Sequence, residues 1–436
     1  MMALLSLLVG SAWATTYTVT TEAQLRNAMG LVAPGDTIDF DASVGTLTLT
    51  GGLGALPVLD DDNVTIDGGG HVVLDGSAIS GDGLVVRGAS GVTVRGLEIV
   101  GFSGVGVLFD DADYATLGGT GVGNVVRGNG GAGVRLTDSD DVVVVDNVVG
   151  LTSADIADGN CIATSACGGL EIGPLSGRAH VEDNVVSGNA GEGIRLQGDG
   201  ALLQGNIIGG DAAGNVARPN DRAGVFVFGR VLVPLSGPDW CERLVMEGNF
   251  VIGNDGHGIL LGLRSSGATL RSNFVGLGVS AAVGNGLSGI YMASQTMGHR
   301  VQGSAQVPTY VGNNGGSGIV IDGSGHTVDG AVIGLTQSTS EGNAEYGIRV
   351  LGNTYPHDVT AAHHIGTTLG NRVSDNDLGG IWVDAPNTVV EGNTIGLDFA
   401  ATGGAGNGAN VAGAAQAFGG ILVTAPVPAT AIAPEV

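Results

Sequence analysis

Residues 188–210 read GNAGEGIRLQGDGALLQGNIIGG, and two short phrases within that stretch decide the fold. In the first, Gly193-Ile194-Arg195-Leu196, two apolar residues flank a polar one behind a glycine. An extended chain puts Ile194 and Leu196 on one side and Arg195 on the other. In the second, Gly205-Asn206 precedes Ile207-Ile208; glycine and asparagine both tolerate the positive φ of a tight turn. The first phrase occurs at Gly83, Gly106, Gly133, Gly169, Gly193, Gly224, Gly258, Gly289, Gly318, Gly347, Gly380 and Gly420. A two-period strand opened by glycine, returning roughly every thirty residues, specifies a solenoid of stacked β-coils. Stacked repeats share one core, so the chain is expected to be a single all-β domain, a parallel β-helix. With neighbouring coils about 4.8 Å apart, the rod is on the order of 50 Å long.

Alternate copies resemble one another more closely than neighbours do. Gly133, Gly193, Gly258, Gly318 and Gly380 form one set, spaced by roughly 60 residues. Each member is followed by a second phrase: DNVVGL at Asp146, GNIIGG at Gly205, SNFVGL at Ser272, GAVIGL at Gly330 and GNTIGL at Gly392. The repeating unit is therefore a pair of coils, one carrying a long outward loop. Asn147, Asn206, Asn273 and Asn393 hold one position in these turns, so their amides are expected to stack as a hydrogen-bonded ladder inside the corner.

The ends differ from the middle. MMALLSLLVGSAWA has an apolar run from Ala3 to Val9 and an Ala-x-Ala ending at Ala14, without a basic start, and reads as a signal peptide over residues 1–14. Residues 15–40 are expected to cap the solenoid with a short helix, with Thr21 as N-cap and Leu25, Ala28 and Met29 apolar. The β-helix then covers 41–423, and the Pro- and Ala-rich residues 424–436 read as a linker or tail.

TEAQLRNAMGLVAPGDTIDF from Thr21, NVTIDGGGHVVLDGS from Asn63 and the repeated GNxVxGNxGxGI and GNxIGL phrases resemble secreted right-handed parallel β-helix repeat proteins of the pectin-lyase-like superfamily. The resemblance implies a right-handed coil. It implies no single activity, because that superfamily holds lyases, hydrolases, epimerases, adhesins and phage tailspikes.

Composition narrows the partners. Sixteen basic against 42 acidic residues leave a formal net charge of −26, which argues against nucleic acid and anionic membrane surfaces, and against a polyanionic glycan unless a cation bridges it. No later apolar run reaches the roughly 18 residues a membrane span needs. Secretion or display at the cell surface is the expected location. Cys161 and Cys167, in GNCIATSACGG, are candidates for a local disulfide, and Cys241 is left over.

Several strings invite a catalytic reading. Gly256-His257-Gly258 is similar to the GHG of polygalacturonase-like hydrolases. That resemblance would also require an Asn-Thr-Asp, an Asp-Asp and an Arg-Ile-Lys, and no such set surrounds it. His257 occupies a repeat slot filled elsewhere by Ala132, Glu192, Ser317 and Gly379. Pro356-His357-Asp358 resembles the Asp-Pro-His of alginate epimerase-like helices, but Tyr355 stands where the aspartate should. His363-His364 reads as surface of the same loop. Asp60-Asp61-Asp62, Asp110-Asp111 and Asp138-Ser139-Asp140-Asp141 read as turn aspartates rather than calcium ligands.

The residue in the middle of each glycine-led phrase points outward. In coil order these are Val85, Leu108, Arg135, Glu171, Arg195, Phe226, Leu260, Tyr291, Val320, Arg349, Trp382 and Leu422. In register they form one column: a charge ladder at Arg135, Glu171 and Arg195, then an apolar and aromatic stretch from Phe226 to Trp382. Phe226, Tyr291, Arg349 and Trp382 are the candidate binding residues, since aromatic faces at coil spacing support sugar rings. The competing expectation is that loops such as Gly229 to Arg243 fold over the column and make a second small core. The reading is a polysaccharide-binding, adhesive or structural rod with no cofactor and no metal site. The alternative is a polysaccharide lyase, hydrolase or epimerase, with calcium if a lyase.

Overall fold

The computed structural model describes residues 14–164, 166–229, 241–303, 307–336, 339–352, 361–397, 406–408 and 418–424. Apart from Ala14 and Thr424, the expected signal segment and tail lie outside them. The described chain is a right-handed parallel β-helix. All twelve glycine-led phrases form strands of one twelve-stranded parallel sheet, each paired with the phrase before and after it. The other two faces of each coil belong to a second parallel sheet, continuous because the strand Thr65–Asp75 runs through the corner between them. Antiparallel bridges Leu151–Ala157, Gly210–Ala217, Leu277–Ala282 and Leu335–Ser340 close a small hairpin loop on every second coil, which is the paired period.

Alternation builds the core. Val134 and Leu136, Ile194 and Leu196, and Ile259 and Leu261 are fully buried and join one continuous aliphatic cluster along the rod. Each such side chain contributes about 1.5–3 kcal/mol by leaving water. At the front, Thr21 caps the helix Glu22–Met29 by accepting from the Gln24 amide, and Leu25, Ala28 and Met29 pack into the first coils.

The corners are where a β-helix must satisfy backbone groups that no strand partner reaches. Two of them use asparagine. One ladder runs through Asn124, Asn147, Asn184, Asn206, Asn249 and Asn273, each Nδ2 donating to the Oδ1 of the next at 2.9–3.0 Å. Thr309 and Ala331 replace asparagine over two coils, after which Asn371 and Asn393 resume it. A second ladder, unforeseen from the sequence, runs from Asn129 through Asn160, Asn189, Asn220, Asn254, Asn285, Asn314, Asn343 and Asn376 to Asn407. Within the turns, positive φ falls on the residue ahead of the asparagine: Asp146, Asp183, Gly205, Gly248 and Ser272. The asparagine itself keeps its amide inside, where it uses both donors and its acceptor.

The third corner is apolar through Val142, Ala179, Ala201, Leu244 and Ala268, and then turns to histidine. His299, His326 and His363 stack with ring centres 5.1 and 5.6 Å apart. The first two are fully buried and the third nearly so. Each Nδ1 accepts an amide N–H from the preceding coil: Ala268 to His299, His299 to His326, and His326 to His363. Nε2 of His299 and of His326 lies 3.1 Å from the hydroxyls of Ser265 and Thr296. The expectation that His363 lies on a loop surface is therefore corrected: it sits in the strand His363–Ile365 with its ring in the lumen. Among the described residues, no helix is long and apolar enough to cross a membrane.

Candidate functional site

The outward column is in register from end to end. Val85 pairs with Leu108, Leu108 with Arg135, and the sequence continues through Glu171, Arg195, Phe226, Leu260, Tyr291, Val320, Arg349 and Trp382 to Leu422. Phe226 and Trp382 are five steps apart, about 24 Å at coil spacing. Phe226, Leu260, Tyr291, Arg349 and Trp382 are half-buried, with Val320 buried between Tyr291 and Arg349.

Neighbouring positions on the same sheet build a surface around the column. Phe228 stacks on Phe226 at 4.6 Å, and the Arg195 guanidinium sits 4.7 Å from the Phe228 ring centre. Arg349 lies 4.5 Å from the ring centre of Trp382, whose indole N–H donates to Thr424. Tyr346 meets Trp382 at a tilt of 58° with ring centres 5.1 Å apart, and His257 meets Tyr291 at 4.9 Å. A guanidinium over an aromatic face is held by the ring quadrupole, which orders both groups before any ligand arrives. Beyond Arg195, a depression of about 160 Å³ is lined by Arg135, Thr137, Glu171, Pro174, Arg195 and Gln197.

The charge ladder forms only in part. Arg135 donates to Glu171 at 2.6 Å, but Arg195 turns away to the Ala166 carbonyl at 2.9 Å while Glu171 also accepts from the Gly168 amide. The loop that carries Ala166 is closed by the Cys161–Cys167 disulfide. Glu171 thus fixes the root of that loop, an arrangement the expected sign alternation does not contain.

Ionisation is displaced along the same face. Burial pushes the Tyr291 phenol up, with Asp322 adding to the shift and Arg349 opposing it. Burial likewise raises the Asp322 carboxyl and lowers the His257 imidazolium, the latter opposed by a hydrogen bond to the Ser288 backbone. Glu192 Oε2, His257 Nδ1 and Arg349 Nε are buried without a hydrogen-bond partner among the described residues. In the sequence His257 is a variable repeat position and Asp322 belongs to no motif, yet both lie beside Tyr291. The register carries the signal for Asp322, two residues beyond Val320 on the same outward side; His257, three residues ahead of Leu260, lies in the turn before its strand and is placed beside Tyr291 only by the fold.

The remaining sequence candidates resolve otherwise. Asp111, Asp138 and Asp141 adopt positive φ, and Asp140 and Asp141 pair with Arg178, so these aspartates are turn residues. Pro356-His357-Asp358 and residues 230–240 of the loop expected to cover the column lie outside the described residues. A covering of that kind does occur on another face, where Phe250, Phe274 and Tyr310 stack at 4.7 and 5.3 Å. There Phe274, Tyr310 and Val332 pack with Leu277 and Leu335 of the hairpin loops in a satellite core.

Residues 59–208 match a family model described as a right-handed β-helix region. In three dimensions the chain is similar to the A-module of mannuronan C-5 epimerase AlgE6 from Azotobacter vinelandii, at 16% identity over 86% of this chain and 95% of the other, with a TM-score of 0.55. The AlgE4 A-module of the same organism matches at 16% identity over 85% and 96%, TM-score 0.48. An alginate lyase from Paenibacillus sp. str. FPU-7 matches at 14% over 82% and 97%, TM-score 0.36. No curated protein matches the chain in sequence. At such identities the likeness is one of fold, and by fold this chain is a right-handed parallel β-helix protein.

Proposed function

We propose that the protein is a secreted or cell-surface rod that binds polysaccharide along the twelve-stranded face. The observation that carries this reading is the aromatic column held in strict register and half open, with Phe226, Tyr291 and Trp382 on one line and Arg349 stacked on Trp382. Rigid rings on parallel rungs suit a linear glycan, because they offer flat apolar area at little entropic cost. Replacing Tyr291 and Trp382 together by Ala should reduce retention on a glycan array at least tenfold, while circular dichroism stays that of the wild type. Equal retention by a folded double variant removes the proposal.

A second reading has one observation in its favour: His257, Tyr291 and Asp322 gather on this face with displaced ionisation, as groups that trade protons do, and the Arg349 guanidinium lies on the same column. This is the polysaccharide lyase or epimerase alternative. An assay for unsaturated uronate, run with and without calcium, tests the lyase form. Product that disappears in Tyr291→Phe would favour it over the binding rod.

A further inference from the structure

The ligand class follows from how charge and unpaired polar atoms are distributed over the proposed face, and the inference rests on that binding reading. All sixteen basic residues are arginines. Those on this face are already engaged: Arg135 with Glu171, Arg222 at 3.5 Å from Glu192, Arg349 at 4.0 Å from Glu345, and Arg195 on the Ala166 carbonyl. Asp322 adds a further half-buried carboxyl beside Tyr291. The face therefore presents no surplus of positive charge, on a chain whose net charge is −26. A carboxylate-bearing polymer would meet repulsion from the acidic rod and find, among the described residues of this face, no uncommitted cation to offset it.

The unpaired atoms point to a different chemistry. Glu192 Oε2 can only accept, Arg349 Nε can only donate, and His257 Nδ1 does either according to its tautomer. These three account for most of the unpartnered buried side-chain atoms among the described residues, which also include His180 Nε2 and Tyr310 Oη on other faces. A buried polar atom without a partner costs about 1–3 kcal/mol, recovered when a ligand supplies the missing bond. A carboxylate supplies acceptors alone and would leave Glu192 unsatisfied. A sugar hydroxyl donates and accepts at once and so suits all three atoms; a polyuronate carries hydroxyls too, but brings its carboxylates against an acidic rod.

We propose that the face takes a neutral, hydroxyl-rich polysaccharide laid along the rod between Glu192 and Trp382, with the rings of Phe226, Tyr291 and Trp382 beneath its sugars. Affinity electrophoresis of the intact protein through gels containing a mixed-linkage β-glucan, xyloglucan, galactomannan, polygalacturonate or alginate tests this. Each gel is run at about 20 mM and about 500 mM salt, with and without calcium, since screening separates ionic from neutral recognition. The expected result is retardation by at least one neutral polymer, changing less than about twofold between the two salt levels, and none by the polyuronates. Retardation by polyuronates alone, calcium-dependent or not, overturns the ligand class while leaving polysaccharide binding intact. Mobility unchanged by every polymer overturns the binding reading and this inference together.

Discussion

Two corners of the same coil solve one problem by different chemistry. The asparagine corners stack amides that carry a donor and an acceptor at every pH, as between Asn189 and Asn220, where both the backbone N–H and Nδ2 of Asn189 reach Asn220 Oδ1. The histidine corner stacks His299, His326 and His363, whose Nδ1 atoms serve as acceptors only while the rings are neutral. A proton on Nδ1 would set a donor against the amide N–H it now receives. Stacking alone therefore does not confer robustness; it passes on the acid–base behaviour of whatever is stacked.

The largest expected effect breaks the symmetry between the corners with acid. Burial lowers His299 to about 3 and His363 to about 4, and lowers His326 well below its ordinary value, where its two histidine neighbours add to the shift. The ionisable groups acting on the ladder are its own members and His364. Because the unfolded chain binds these protons below its ordinary value of 6.5 and the folded chain does not, stability rises with pH across that window. At pH 5 each ring contributes a loss of about 2 kcal/mol and the three together about 6 kcal/mol relative to pH 8. Denaturant midpoints from pH 8 to 5 measure it. A flat profile between pH 7 and 5 would show that the rings are protonated in the fold and that the ladder is not as drawn.

The next effect sharpens the same contrast. Asn220→Ala removes the acceptor for Asn189 and the donor to Val186 and Asn254, and is expected to cost about 2–4 kcal/mol by leaving buried groups unpaired. That loss should be the same at pH 8 and pH 5, because no partner in the ladder titrates. A pH-dependent penalty would contradict the comparison. His326→Asn is the smallest: it should remove about a third of the acid loss, about 2 kcal/mol at pH 5, while costing about 1 kcal/mol at neutral pH. Nitrogen chemical shifts of the wild type should meanwhile report protons on Nε2 of His299 and His326.

The asparagine ladders were partly legible and the histidine ladder was not, for a reason of spacing. Asn147, Asn206 and Asn273 sit in phrases with a recognisable local pattern, so their shared position showed in one dimension. His299, His326 and His363 are 27 and 37 residues apart, because loops of unequal length lie between them. Only counting rungs aligns them. His363-His364 accordingly looked like a surface pair, although strand alternation turns one ring into the lumen and the other away from it. The disulfide of Cys161 with Cys167 was within reach because both cysteines lie in one short loop.

What the amino-acid order determined by itself was which way each side chain faces and that the coils stack, since alternation and the glycine-led phrase are properties of a few consecutive residues. It thereby placed Phe226, Tyr291, Arg349 and Trp382 on one line. Only the tertiary structure showed that a different outward line, through Phe274 and Tyr310, lies under loops. The hairpins after alternate coils fold over Phe274 and Tyr310, whereas His257 and Asp322 come to lie beside Tyr291 of the aromatic line. Those outcomes depend on where loops of variable length come to rest, and on contacts between coils distant in sequence, which no local pattern encodes.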